Sequence, residues 1–126
     1  MSLVLDASAL LAFLHNETGG ETVGNSLEGA LISTVNWSEV IQKAIGHGVD
    51  VRGMREDFLG LGVTFIAFTT VQSELAAGLW RDTHALGLSL ADRACLSLGL
   101  VHECPVMTAD RAWKQLDLGL DIQLIR

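Results

Sequence analysis

Basic residues, cysteine, proline and unbroken apolar runs are all scarce in this sequence, and each scarcity excludes something. Eight Lys and Arg stand against fifteen Asp and Glu, a formal net charge of −7 with a sequence pI near 4.8. A chain so acidic does not hold nucleic acid by a broad basic surface, because that affinity comes from lysines and arginines that displace counterions. A nuclease stays open, since a metal can supply the positive charge the chain lacks. The two cysteines, Cys95 and Cys104, form no Cys-x-x-Cys pair and have no histidine at zinc-finger spacing. They read as two buried thiols of a reducing cytosol. The one proline, Pro105, leaves no room for a proline-rich hinge, and no repeat or low-complexity tract appears. The apolar N-terminal stretch from Leu3 to Leu14 is interrupted by Asp6 and has no basic residue before it. It fits neither a signal peptide nor a spanning helix, which needs ~20 apolar residues. The expectation is a soluble, cytoplasmic protein with no membrane association.

What is present is enough for a core. At 126 residues, 49% hydrophobic and 18% charged, the chain is expected to form a single domain over 1–126, and disorder is excluded. Leu3-Val4-Leu5, Ala30 to Ser33, Val63 to Phe68, Val106-Met107-Thr108 and Ile122 to Ile125 are short apolar runs that read as strands. Helices are predicted between them. Leu10, Leu11 and Leu14 mark the first, ending before Gly19-Gly20, and a short second covers about 20 to 28. Trp37, Val40, Ile41, Ala44 and Ile45 form the stripe of a helix starting near Asn36, and residues 50 to 60 form another. Val71, Leu75 and Leu79 recur every fourth residue and mark a helix ending around Asp82. Leu90, Ala94 and Leu98 mark the strongest amphipathic helix, with a brief one from Trp113 to Leu116. Strands alternating with helices predict an α/β fold around a mostly parallel sheet, in which ligands bind beyond the C-terminal ends of the strands.

Four acids sit where such a sheet would present them. Asp6 follows the first strand, Glu39 lies in the helix after the second, Asp92 begins the strongest helix, and Asp110 follows Val106-Met107-Thr108. Each also has a structural reading. Asp6 and Asp110 can be N-caps, Asn36-Trp37-Ser38-Glu39 is a capping-box pattern, and Ser89-Leu90-Ala91-Asp92 is a near relative. Taken together they weigh differently. Carboxylates converging on one sheet edge repel by ~4 kcal/mol per pair at about 4 Å and an effective dielectric near 20. Either some are protonated or a cation sits among them, and hard oxygen donors without His or Cys favour Mg²⁺ or Mn²⁺ over zinc. The residues alone lead to a divalent-metal site, and not to RNA.

Leu3-Val4-Leu5-Asp6-Ala7-Ser8-Ala9-Leu10-Leu11 resembles the opening of PIN-domain nucleases, and Ser38-Glu39-Val40 their second acidic position. Leu88 to Cys95, around Asp92, is similar to the third, and Val106 to Trp113, around Asp110, to the fourth. Order and spacing resemble VapC-type toxins of bacterial toxin–antitoxin pairs over essentially the whole chain. The resemblance implies a PIN-like three-layer fold with about four to five strands flanked by helices. It implies a metal-dependent endoribonuclease in which Asp6, Glu39, Asp92 and Asp110 hold one or two Mg²⁺ or Mn²⁺ ions. Water activated there would cut RNA in line, leaving a 5′-phosphate and a 3′-hydroxyl. Ser8 and Thr108 match hydroxyl positions that orient a water or phosphate, and the fourth acid, Asp110, varies most in such families. A homodimer and a cognate antitoxin whose C-terminal segment fills the groove are implied as partners.

Arg93 and Arg111 each follow a site acid; either meets a phosphate or an antitoxin carboxylate, or is a solvated arginine paired with nearby acids. Arg81 and His84 precede the third motif, His84 with no identifiable partner. Trp37, Trp80 and Trp113 are expected in the core or an interface, and Ala76-Ala77-Gly78 against the sheet. Two other functions compete: a PIN-fold module that binds RNA or protein without cutting, and an aspartate-nucleophile phosphatase. Four intact acids oppose the first, and Ser8 two residues after Asp6, where a second Asp is usual, opposes the second.

Overall fold

The computed structural model describes residues 2–126. Five strands, β1 (Val4–Leu5), β2 (Leu31–Ser33), β3 (Thr64–Ile66), β4 (Val106–Thr108) and β5 (Ile122–Leu124), form one sheet in the order β3-β2-β1-β4-β5. Every pairing is parallel, so the expected mostly parallel sheet is wholly parallel. Side chains alternate between its two faces, as the strand period of two requires. Leu5, Ile32 and Met107 enter one core with Leu10, Val40 and Phe58, whereas Val4 and Val106 enter the other with Leu96, Leu98 and Trp113.

Seven α-helices cover these faces. Helices α1 (Ala7–Leu14), α2 (Gly20–Gly24), α3 (Thr34–Gly46) and α4 (Met54–Gly60) supply the first core. The chain then crosses back through α5 (Thr70–Gly78), α6 (Trp80–Thr83), a 3-10 turn (His84–Leu86) and α7 (Leu90–His102), and α7 lines the second. A further 3-10 turn, Arg111–Gln115, carries Trp113 into that core. The order of strands reverses between β1 and β4, which makes the crevice beyond their C-terminal ends the topological switch point. No helix among the described residues is long and apolar enough to cross a membrane.

Several expectations are corrected. Helix α3 begins at Thr34 with Ser33 as its cap, not near Asn36, because the last residue of β2 accepts from Val35 N–H and starts the helix without a loop. Asn36 and Glu39 therefore form no capping box, and Ile45 is exposed. Of the residues that mark helix α5, Leu79 is buried and Leu75 half-buried as the spacing suggests, but Val71 is 70% exposed while Gln72 and Ala76 are buried. Its small residues meet α7, not the sheet, as the Arg93 bond to the Ala76 carbonyl shows. Trp80 is 54% exposed and stacks on His84 with ring centroids 4.0 Å apart, outside the core. Cys95 is buried as expected, whereas Cys104 is only half-buried.

Candidate active site

The two-residue period that sends Val4 and Val106 towards α7 sends Asp6 and Thr108 the same way. Asp6 leaves β1 in extended backbone and caps α1, its Oδ1 accepting from Ala9 N–H at 2.8 Å. Two hydroxyls complete its shell. Ser8 donates to Oδ1 at 2.7 Å, and Thr108, the last residue of β4, donates to Oδ2 at 2.6 Å. In return Ser8 accepts from Ala109 N–H and Thr108 from Asp110 N–H, which ties the end of β4 to the start of α1. Both hydroxyl protons are thereby committed to Asp6, so these residues hold the carboxylate and do not point a proton at water or phosphate.

Asp6 is 4% exposed, and burial, against the pull of its hydrogen bonds, raises its pKa from 3.8 to about 6, with the Asp92 charge adding to the rise. Asp92 enters from the first turn of α7, where it and Ser89 form a reciprocal capping box. One turn on, Cys95 is fully buried. Burial pushes its thiol up, and the charges of Asp6, Asp92 and Glu39 push it further. Glu39 lies on α3, where it pairs with Lys43 one turn on at 3.8 Å. Asp110 stands apart at the exposed rim and caps the following turn through Ala112 N–H.

The charges of Asp6, Asp92 and Glu39 are thus all felt at the Cys95 thiol, and Asp110 is linked to Asp6 through Thr108. Arg93 is half-buried and turned towards α5, donating to the Ala76 carbonyl at 3.1 Å; among the described residues it makes no ion pair with an adjacent acid. Asn36, read from sequence as a cap, is instead buried and donates from Nδ2 to the Ala91 carbonyl beside Asp92, at 3.0 Å. Its only sequence signal is a polar residue three before Glu39. A cleft of about 470 Å³ near Leu100, Pro105 and Leu120 lies at the opposite end of the strands and takes no part.

Among the described residues, no three His, Cys, Asp or Glu come close enough to enclose a metal by themselves. The donor set still suits a hard cation. Mg²⁺ is ordinarily held by one or two carboxylates and completes its shell with water, and Asp6, with Asp92 close enough for its charge to be felt, is a donor set of that kind. A cation there would also offset the cost of burying the ionised Asp6 and its repulsion from Asp92.

Residues 3–118 match the family model described as PIN domain. No curated protein matches the chain. Among solved structures, the fold is similar to that in a toxin–antitoxin complex from Klebsiella pneumoniae, at 17% identity and TM-score 0.73 over 94% of each chain. It is similar to DNA-bound VapBC from Salmonella typhimurium, at 14% identity and TM-score 0.71, over 100% of this chain and 99% of that one. VapBC2 from Rickettsia felis, bound to a DNA fragment from its promoter, gives 14% identity and TM-score 0.67 over 98% of each chain.

Proposed function

This chain belongs to the PIN domain family, and on that premise we propose that it is a metal-dependent endoribonuclease, the toxin of a toxin–antitoxin pair. The observation that carries the reading is Asp6: a buried carboxyl at the switch point, held by Ser8, Thr108 and Ala9 N–H, pushed to about 6 by burial, with the charge of a second carboxylate, Asp92, near enough to add to the rise. A structural cap has no need of that neighbour, whereas a cation site does.

Asp6 and Asp92 would hold Mg²⁺ or Mn²⁺, with Glu39 and Asp110 accepting from waters around it. When bound, the ion lowers the pKa of water and offsets charge that builds on a phosphate. The chain's own residues do the rest. Ser8 and Thr108 fix both oxygens of Asp6, and the Ser89 capping box fixes Asp92, so the two carboxylates are set before substrate arrives. In the reaction, a bond forms from the water oxygen to phosphorus, and the bond to the 3′-oxygen breaks. The leaving oxygen takes a proton, giving a 5′-phosphate and a 3′-hydroxyl. A homodimer and inhibition by a cognate antitoxin belong to the same proposal, supported by the likeness to toxin–antitoxin complexes. So does a cytoplasmic location, where such RNA is found.

Purified wild-type and Asp6→Asn proteins, prepared identically, are to be incubated with total RNA in Mg²⁺, in Mn²⁺ and in excess EDTA. Discrete fragments are expected only from the wild type and only with a metal. Equal cutting by both proteins, or cutting in EDTA, would overturn the assignment. No cutting in any metal would return the chain to the binding-module reading.

A further inference from the structure

The acids Glu39 and Asp92 lie on different helices, and one side chain joins those helices at the site. Asn36, on α3 one turn before Glu39, is 1% exposed and donates from Nδ2 to Ala91 in the first turn of α7, at 3.0 Å. Its Oδ1 is also buried and has no partner among the described residues. The amide cannot be turned round, because an oxygen facing the Ala91 carbonyl would set acceptor against acceptor. Buried acceptors are rarely left unpaired, and where no protein donor reaches them the partner is an ordered water.

We propose that Asn36 is a positioning residue of this site. Its NH₂ group fixes the α3–α7 seam and with it the placement of Glu39 relative to Asp92, and its oxygen accepts from a water held in the acid cluster. A hydrophobic residue of similar size would fill the seam equally well but could do neither. This inference rests on the metal-site reading above, and the experiment separates the two.

Mn²⁺ binding is measured by titration calorimetry at pH 7 on the full chain without RNA, for wild type, Asp6→Asn, Asn36→Leu and Val40→Ala. Val40 lies on α3 in the first core, so its truncation tests loss of packing alone. Outer partners of metal ligands commonly contribute ~10–100-fold in affinity. Asn36→Leu is expected to weaken Mn²⁺ binding at least tenfold, and Val40→Ala to lower the melting temperature with Mn²⁺ affinity unchanged. Unchanged affinity in Asn36→Leu would overturn the role of Asn36 and leave the metal site standing. Should the wild type bind no more Mn²⁺ than Asp6→Asn, the site and the role fall together. If Asn36→Leu does not fold, Asn36→Ser, which keeps a smaller polar group, is measured against Val40→Ala on the same terms.

Discussion

At the residue scale, the central fact is that Asp6 is held by three donors and is still hard to ionise. Its folded pKa of about 6 exceeds the ordinary 3.8. Below 3.8 the group is protonated in both the folded and unfolded chain. Between 3.8 and about 6 the unfolded chain gives up its proton first, so stability falls as pH rises through that window and is level above it. Roughly two pKa units correspond to ~3 kcal/mol. Asp6→Asn, measured by urea unfolding without metal, is therefore expected to be stabilised relative to wild type at pH 7, and the difference should shrink towards pH 4. A difference that does not change with pH would contradict the burial of an ionised Asp6. The candidate acids were legible in the sequence because Asp6 and Asp110 follow apolar runs and Glu39 and Asp92 stand early in predicted helices, a pattern that weighs only when the four are taken together. Asn36 was not, because its partner Ala91 is 55 residues away and offers only a backbone carbonyl.

At the scale of the element, the helices were legible as periodicities, but some of their faces and starts were not. The Asn36-to-Glu39 pattern has the form of a capping box, yet Ser33 starts α3 three residues earlier because β2 runs straight into it. In α5 the apolar Val71 faces outward while Gln72 is buried, since tertiary contact, not hydropathy alone, decides which face turns inward. Helix α7 shows the same point in its glycine. A Cβ on Gly99 would lie 2.6 Å from Cγ2 of Val106 on β4. Alanine in place of glycine usually strengthens a helix by ~1 kcal/mol. Here Gly99→Ala is expected to destabilise by ~1–3 kcal/mol, the usual cost of overpacking, read as a lower urea midpoint. A stabilised variant would mean that α7 does not press on β4 as described. Because α7 also carries Asp92, its seating on the sheet is part of the site.

At the scale of the whole molecule, an α/β class with a parallel sheet could be read from alternating strands and helices. The order β3-β2-β1-β4-β5 could not, because strands of two or three residues carry no pairing information. Yet that order is what makes the site. It puts β1 beside β4, brings Asp6 against Thr108, and sets the start of α7 near enough that the charge of Asp92 is felt at Asp6. With a net charge of −7 the chain has no general attraction for a polyanion, so the proposed action on RNA requires a cation at this crevice to supply the missing positive charge. The most direct test is the melting temperature of wild type and Asp92→Asn at pH 7, each with and without Mn²⁺. A ligand that binds the folded state raises the melting temperature, and one held between Asp6 and Asp92 should raise that of the wild type clearly more than that of the variant. Equal shifts in the two proteins would show that the ion binds elsewhere and would contradict a shared cation site.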